Sequence, residues 1–451
     1  MVQQRSTFMG EENIGRLLLR LSSPAMIGML VQAAYNLVDT FFVGRGVGVL
    51  AIGGLSIAFP LQMIIMATAQ MIGIGGSSII SRSLGNMNIE HANRTFANMI
   101  TTITLLSLLI AFGGLTWLKP LLILLGATPA ILPYASEYMR IIFLGTVVFA
   151  FSITCNNVVR AEGNARFAMI TMLISAGVNT VLDPIFIFGL KMGVQGAAWA
   201  TIISQGCTAI WLGWYFYSGK SDLRIKLKAM LPEAAILKET FSIGISAFTR
   251  QSSASITAVI LNHSLGAYGG DLAIAAFGII RRILMFAIMP VFGIVQGLLP
   301  IVGYNYGGKQ YCRVKKAIML AIGFSSLLCI ISSAALLICP GSILSLFTSD
   351  GEVLRIGTRA SRIIAIGLPV VGFQVMASGM YQAIGKALPA FLLSLMRQII
   401  MLIPMVLILP LFMGLKGIWI AFPVSDLGAF AVTLMMFRVE MKYLKHICVD
   451  T

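Results

Sequence analysis

Residues 160–168 read RAEGNARFA, and a related stretch, QAIGKALPA, occupies residues 382–390. The two stretches lie 222 positions apart, and the same offset relates MRIIFLG, which ends at Gly145, to SRIIAIG, which ends at Gly367. The LG pair at residues 84–85 corresponds in the same way to the YG pair at residues 306–307. This constant offset predicts that the chain consists of two homologous halves.

The composition indicates the solvent in which these halves fold. Of the 451 residues, 58% are hydrophobic and only 11% are charged, whereas a soluble globular protein is nearer a quarter charged. Such a chain has too little polar surface to cover a water-soluble particle, which argues against a soluble enzyme, a nucleic-acid-binding domain and a disordered scaffold. We therefore predict an all-α polytopic membrane protein, because helices satisfy their own backbone hydrogen bonds in lipid.

Twelve segments are apolar over the length of about 20 residues that a helix needs to cross the hydrocarbon. They lie near residues 17–43, 51–80, 95–118, 133–158, 166–189, 194–217, 241–263, 273–300, 317–339, 353–380, 388–412 and 417–437. Because each half has six spans, both halves enter from the same side, and we predict two pseudo-symmetric six-helix lobes facing each other across a central cleft. This architecture is typical of transporters. The predicted division is an N-terminal lobe at residues 1–218, a cytoplasmic linker at 219–240 and a C-terminal lobe at 241–451.

The excess of basic residues predicts the orientation. The net charge is +16, and 20 of the 32 Lys and Arg lie in the termini, or in the loops and adjoining helix ends that follow every second span. The alternate loops contain only Arg45, Lys119, Lys191 and Lys416. Since cytoplasmic loops of membrane proteins collect Lys and Arg, we predict a multi-pass protein of the cytoplasmic (inner) membrane with both termini in the cytoplasm. This orientation explains the excess of basic residues, so we predict no nucleic-acid partner.

The sequence indicates no resident metal, disulfide framework or cofactor. The six cysteines are scattered without a CxxC pair, and the three histidines are not spaced as metal ligands. We expect no cofactor other than a coupling ion.

Ionisable residues inside spans are costly and are functional-site candidates by default. Asp39 and Asp183 are predicted at a similar depth in the outer half of the first lobe, together with Thr201 and Tyr138. Asn179 lies one helical turn before Asp183, on the same face. Carboxylate, amide and hydroxyl oxygens suit a small hard cation such as Na⁺, or groups that share a proton. The alternative is that both acids are structural and cap helix ends or bond to their neighbours.

Further polar residues extend this cluster. Gln32 and Tyr35 share one face of the first span with Asp39, and Pro24 removes a hydrogen bond in that span and so permits a bend. Each of these polar residues, taken singly, is also compatible with packing in the bundle interior.

The second half lacks an equivalent acidic cluster. Its candidate residues are charged: Arg250, Arg281, Arg397 and Asp426. We favour a structural ion pair between Asp426 and an arginine, while an unpaired arginine in the cleft would favour an anionic substrate. Arg140 and Arg362 occupy equivalent places in the fourth and tenth spans and are interpreted as features of the fold.

Five stretches of the sequence form a specific set of motifs: YNLVDTFFVG (35–44), RAEGNA (160–165), NTVLDPIFIFG (179–189), GAAWAT (196–201) and GYNYGGK (303–309). As a set they resemble the motifs of the multidrug and toxic compound extrusion (MATE) family, in particular its prokaryotic DinF/MepA-like branch, and the resemblance covers essentially the whole chain. It implies a MATE-type fold of two six-helix lobes and the export of organic cations or other amphiphiles in exchange for H⁺ or Na⁺.

The resemblance also implies roles for individual residues. Those that match the family's cation-binding site are Asp39, Asn179, Asp183 and Thr201. Those that match its surrounding polar network are Gln32, Tyr35, Tyr138 and Asn156, although Asn156 lies near the cytoplasmic end of its span. Pro24 matches the proline at which the first helix is proposed to bend. Some members carry coupling acids in the second lobe, whereas this sequence has no acid in its seventh span, which favours a mechanism in the first lobe.

The sequence thus predicts a monomeric secondary active multidrug efflux transporter, not an enzyme, that moves amphiphilic or cationic small molecules by alternating access. The alternative is a flippase of the same superfamily for lipid-linked or anionic substrates, which the second-half arginines would serve. An intramembrane enzyme is disfavoured because the sequence has neither an HExxH motif nor a GxGD motif.

Overall fold

The computed structural model describes residues 5–224 and 227–449, where the regular structure is helical. The first half contains α1 (Phe8–Glu11), α2 (Ile14–Gly46), α3 (Val49–Gly85), α4 (Ile89–Thr116), α5 (Leu118–Leu124), α6 (Leu132–Leu144), α7 (Thr146–Ala161), α8 (Ala165–Pro184) and α9 (Val194–Tyr217). The second half contains α10 (Ala234–Gly307), α11 (Tyr311–Ile338), α12 (Pro340–Ser345), α13 (Gly351–Ala365), α14 (Leu368–Ile384), α15 (Ala387–Leu395), α16 (Ile403–Met413) and α17 (Leu415–Val449). Two π-helical segments follow α8 and α15, at Ile185–Gly189 and Met396–Leu402.

These helices account for the twelve predicted spans. Eight helices are long and apolar enough to cross a membrane, and two bent pairs, α6 with α7 and α13 with α14, qualify when each pair is taken as one span. The 74-residue α10 contains two spans, because its backbone breaks at Gly270, where φ is 65°. The 24 residues of α9 extend about 36 Å at 1.5 Å per residue, which exceeds the hydrocarbon thickness of about 30 Å. The all-α, twelve-span prediction is confirmed.

The internal repeat appears in the helix bends. α6 and α7 meet at 58°, and α13 and α14 meet at 53°. The breaks lie at Gly145 and Gly367, which the offset of 222 relates. A Cβ atom at Gly145 would overlap Ile202, and one at Gly367 would overlap Asp426, so at both bends a side chain of a neighbouring helix packs against the glycine.

The repeat also appears in the hydrogen bonds between helices. Ser152 Oγ donates to the backbone carbonyl of Gln205 at 3.1 Å, and Gln374 Nε2, 222 residues after Ser152, donates to the carbonyl of Asp426 at 2.8 Å. Gln205 and Asp426 lie 221 positions apart, the offset that relates MGVQG (192–196) to MGLKG (413–417) near the ends of the two halves, so the repeat aligns them. The two halves are therefore pseudo-symmetric in packing as well as in topology.

The apolar cores show where the two halves meet. Among the described residues, the largest cluster contains Leu17 and Val158 from the first half, and Leu298 and Met380 from the second. Two smaller clusters are each confined to one half. Since Met9, near the N-terminus, belongs to the shared cluster, the halves merge at the end that carries the termini and have separate cores at the opposite end. We call the first of these the merged end.

Backbone contacts at the merged end follow the same symmetry. A Cβ atom at Gly85 in α3 would overlap the carbonyl oxygen of Tyr304 in α10, and one at Gly307 would overlap the carbonyl oxygen of Arg82. Both residues of one contact are related to those of the other by the offset of 222. Glycine is therefore required on each side for the two helices to approach this closely.

A buried carboxyl group anchors the chain that leaves the first half at the merged end. Glu162, which follows α7, accepts hydrogen bonds from Ser221 Oγ at 2.5 Å, Tyr215 OH at 3.1 Å and the backbone N–H groups of Asp222 and Leu223 at 2.7 and 3.2 Å. The loop at residues 221–223 lies near the start of the predicted linker, residues 219–240. The boundaries of that linker stay a prediction.

The N-terminal segment contacts both halves at the merged end. The backbone N–H of Ser6 donates to Asp222 Oδ2 at 3.0 Å. On the other side, Asn305 Nδ2 donates to the carbonyl of Met9 at 2.9 Å, and Arg313 Nη2 donates to the carbonyl of Glu12 at 2.6 Å. The short helix α1 therefore lies between the halves.

Cys312, in the first turn of α11, forms a disulfide with Cys448 near the end of α17, with their Cα atoms 5.2 Å apart. The scattered cysteine spacing does not predict this pair, because the two residues are 136 positions apart in sequence and meet only through the packing of α11 against α17.

We predict that Gly307→Val prevents the merged end from closing fully, because the added side chain must displace the backbone of α3. Overpacking of this kind costs about 1–3 kcal/mol or more. Spin labels on the ends of α3 and α10 should report a longer distance than in the wild type. The matched control is Gly323→Val in α11, where an added Cβ meets nothing within 4 Å. An unchanged distance in Gly307→Val would contradict the assignment.

A second prediction concerns Glu162 and pH. Burial raises the pKa of Glu162 from 4.5 to about 7. Between these values the folded protein binds a proton that the unfolded chain releases, so the stabilising contribution is present at low pH and is lost as the pH rises through about 7. Glu162→Gln should remove this part of the pH dependence. The measurement is the melting temperature of both proteins from pH 5 to pH 8, and parallel curves would refute it.

Candidate functional site

Two acidic side chains from different helices meet inside the first half. Asp183, near the end of α8, is fully buried, and its carboxyl group lies within hydrogen-bonding reach of Asp39 in α2. Two carboxylates in contact repel each other unless they share a proton or hold a cation between them. The sequence-based prediction that these two acids converge therefore agrees with the geometry.

The local sequence explains why α8 changes its geometry beside the acid. Pro184, directly after Asp183, has no N–H to donate to the preceding turn, and the helix continues as a π-helical segment at Ile185–Gly189. Single π-helical turns are frequent at functional sites because they re-aim nearby side chains. One turn earlier, Asn179 Nδ2 donates to Asp183 Oδ1 at 3.4 Å.

Three oxygen atoms at this position lack a hydrogen-bond donor. Asp39 Oδ1, Asn179 Oδ1 and Asp183 Oδ2 are buried and accept no hydrogen bond from any described residue. Buried polar groups without a partner are costly. Carboxylate and amide oxygens are the ligands that hard cations prefer, so the group suits Na⁺ or a proton. Within residues 5–224 and 227–449, no three His, Cys, Asp or Glu side chains cluster as a metal site.

A polar network surrounds the two acids. Tyr35 contacts the side chain of Gln32 and interacts electrostatically with both acids. Tyr138 in α6 is buried, lies near Tyr35 and the acids, and accepts a hydrogen bond from Gln62 Nε2 at 3.0 Å. Four helices, α2, α3, α6 and α8, thus contribute polar groups to one site.

The remaining predicted residues lie at different distances from this site. Thr201 is half-buried in α9, where its hydroxyl donates to the carbonyl of Ala197 at 3.0 Å. Pro24 is buried inside α2. Asn156 does not join the group, because its Nδ2 donates to the carbonyl of Ala168 at 3.0 Å. Ala168 lies 15 residues before Asp183 in α8, which is about 22 Å along the helix.

Sequence reasoning missed Gln62. Its signal is a single amide side chain in the otherwise apolar stretch FPLQMIIM at residues 59–66. A polar residue in such a span is expected to find a partner in the bundle interior, but the partner, Tyr138, is 76 residues away in sequence.

Of the charged candidate residues in the second half, Arg397 and Asp426 form an ion pair, whereas Arg250 and Arg281 do not take part in it. Arg397 Nε donates to Asp426 Oδ1 at 2.7 Å, and Asp426 is buried. This contact confirms the predicted structural ion pair. Arg281 is exposed, whereas Arg250 is half-buried with its guanidinium 5.9 Å from the ring centre of Phe292, a distance at which cations still interact with aromatic rings.

A comparison with protein families agrees with this two-lobe arrangement. The MatE family model matches residues 24–185 and 247–408, one match in each half. The multidrug export protein MepA of Staphylococcus haemolyticus is 28% identical over 441 residues, which cover 98% of this chain and 97% of that protein. MepA of Staphylococcus aureus is 29% identical over 427 residues, which cover 94% of this chain and 93% of that protein.

Solved structures are similar over almost the whole chain. The MATE multidrug transporter DinF-BH is 44% identical, with a TM-score of 0.89 over 95% of this chain and 96% of that chain. A multidrug resistance MATE family transporter of the MOP superfamily in its outward-facing conformation is 29% identical, with a TM-score of 0.92 over 98% of this chain and 99% of that chain.

Proposed function

The chain belongs to the MatE family, and from this premise we propose that it exports amphiphilic or cationic small molecules in exchange for a cation bound at Asp39 and Asp183. It is a multidrug efflux transporter and not an enzyme. The relatives MepA and DinF-BH carry the names of multidrug exporters. The observation that supports the coupling role is the contact of the buried Asp183 with the half-buried Asp39, where each acid and Asn179 have one buried oxygen atom without a hydrogen-bond partner.

The proposed cation site combines residues from three helices, α2, α8 and α9. Asp39, Asn179 and Asp183 supply the oxygen atoms, and Thr201 contributes its hydroxyl from the neighbouring α9. Tyr35, Tyr138 and Gln32 hold the carboxyl groups in place through the surrounding polar network. A bound proton or Na⁺ removes the repulsion between the acids, so occupancy favours a closer approach of α2 and α8. Pro24 allows α2 to bend as it responds.

We further propose that the merged end faces the cytoplasm. The 20 basic residues in the termini and in the loops and adjoining helix ends that follow every second span support this orientation, which corresponds to a protein of the cytoplasmic (inner) membrane with both termini inside. The lobes have separate cores at the opposite end, so the cleft then opens outward. Transport would require the glycine contacts at the merged end to part while the outer ends approach each other. One chain contains both lobes, and we propose a monomer.

The flippase alternative depends on arginines that face the cleft. Arg397 is already paired with Asp426, which leaves Arg250 and Arg281 to bind an anionic substrate. The alternative also assigns no role to the contact between Asp39 and Asp183. We therefore place it second, and it predicts transport that does not depend on these two acids.

We predict that Asp183→Asn lowers dye efflux at least tenfold while the protein remains folded, because the amide neither takes up a proton nor supplies the negative charge that holds a cation. Asp39→Asn should have the same effect. The measurement is efflux of a fluorescent cationic dye from proteoliposomes, with the melting temperature as the test of folding. Asp271→Asn, which alters an exposed acid, is the matched control. Full activity of folded Asp183→Asn would overturn the proposed site.

A separate experiment identifies the coupling ion. Proteoliposomes containing the wild type receive either a pH gradient at equal Na⁺ or a Na⁺ gradient at equal pH. Because the two acids supply the exchangeable site, we expect one gradient to drive dye transport and the same gradient to fail with Asp183→Asn. Transport without either gradient would contradict ion-coupled exchange.

A further inference from the structure

A groove on the flank of the first half contains charged side chains that the proposed transport cycle does not use. It has a volume of about 530 Å³ and lies between α5, α6 and α9. Lys119, Glu137 and Arg140 line it together with Trp199 and Leu144. We call it the α6–α9 groove. Its volume is within the range of small-molecule sites, which is about 300–1,000 Å³.

The charges in this groove are not neutralised by the protein. Lys119, Glu137 and Arg140 are exposed, and none of them forms an ion pair with another residue in the described ranges. Arg140 lies eight residues after the start of α6, about 12 Å along the helix. A charged side chain at such a depth in a span normally faces the bundle interior or has a partner. We therefore expect the exposed guanidinium group of Arg140 to bind a group that comes from the membrane.

The surroundings of the groove identify it as a surface that faces lipid. Trp199, Ile203, Ile210 and Trp214 are exposed large side chains at helical spacing on one face of α9. Such an apolar stripe on a span contacts lipid tails. The groove lies at the end of the stripe where α9 begins, and Trp199 is typical of the membrane interface. Because no residue of α10 lines it, the groove is separate from the cleft between the lobes.

We propose that the α6–α9 groove binds one phospholipid of the phosphatidylethanolamine type. Lys119 and Arg140 bind its phosphate, Glu137 binds its primary ammonium group, and an acyl chain lies along Leu144 and Trp199. Arginine and lysine are the usual partners of phosphate, and hydrogen bonds between charged groups are the strong ones. A carboxylate beside two cations matches a zwitterionic headgroup better than an anionic one, because Glu137 would repel a second negative charge.

This proposal does not depend on the transported substrate or on the coupling ion. It has a structural consequence for α6, because Tyr138 of the ion-site network lies on the same short helix as Glu137 and Arg140. The proposed lipid therefore contacts one side of α6, and the polar network includes a residue on the other side of the same helix.

The test is lipid binding to the purified full chain, measured by native mass spectrometry. The probes are phosphatidylethanolamine, phosphatidylcholine, whose ammonium group has no N–H, and anionic phosphatidylglycerol, each added separately. We expect the wild type to retain one phosphatidylethanolamine more tightly than either other lipid. Lys119→Met/Arg140→Met should weaken this binding at least about tenfold, which is the size expected for losing charge-assisted hydrogen bonds. The matched control, Lys191→Met/Lys416→Met, removes two exposed lysines outside the groove.

A second variant keeps the phosphate contacts and tests the carboxylate. Glu137→Gln should abolish the preference for phosphatidylethanolamine over phosphatidylglycerol without abolishing lipid binding. Equal retention of phosphatidylethanolamine by the wild type and the Lys119→Met/Arg140→Met variant would overturn the proposal. Preference of the wild type for phosphatidylglycerol would overturn it as well, since it would identify an anionic-lipid site. The melting temperature of each variant establishes that the protein compared is folded.

Discussion

The reciprocal contact between α3 and α10 at Gly85 and Gly307 is the constraint on which the arrangement of the lobes depends. Each glycine lies against a backbone carbonyl of the other helix, at Tyr304 and Arg82, where a Cβ atom would not fit. The contact lies beside the largest apolar cluster, to which both halves contribute side chains. Because the offset of 222 relates the two sides of the contact, the lobes meet there through equivalent surfaces. Any motion that separates the lobes at the merged end must therefore separate side chains of the shared cluster as well.

The scaffold is symmetric, whereas its chemistry is not. Gln205 and Asp426 occupy equivalent positions, but Asp426 is held by Arg397 at 2.7 Å, which fixes a neutral pair inside the second lobe. In the first lobe, Asp39 and Asp183 lie beside each other and polar neighbours, and no Lys or Arg of the described residues forms an ion pair with them. A permanent counter-ion suits a structural role, whereas a pair of acids without one suits an exchangeable cation. This difference is the reason why the proposed coupling site lies in the first lobe.

The sequence predicts features that follow from patterns along the chain, such as the spans and the repeat. It does not predict which side chains meet, because those contacts depend on the three-dimensional packing of the helices. Apolar length and the offset of 222 were sufficient for twelve spans and two lobes, and counting residues from the span ends placed Asp39 and Asp183 at one depth. Depth does not determine the direction in which a side chain points around its helix, so the partner of Gln62 could not be assigned. Asn156 shows the converse case: its motif matches the family, but its depth separates it from the acids. The anchoring of the linker by Glu162 depends on loop conformation, which hydrophobic periodicity does not encode.

The two faces of α6 connect the polar network around Asp39 and Asp183 with the α6–α9 groove. Tyr138 and Arg140 are two residues apart, so they point about 200° apart around the helix, one toward the polar network and the other toward the α6–α9 groove. The bend of 58° at Gly145 separates α6 from α7, so α6 is a short helix of its own. If a lipid at Arg140 and a cation at Asp39 each favour one position of this unit, their binding energies are coupled, and the coupling is reciprocal by thermodynamic necessity. Membrane composition would then affect how tightly the first lobe holds its cation, without any lipid reaching the central cleft.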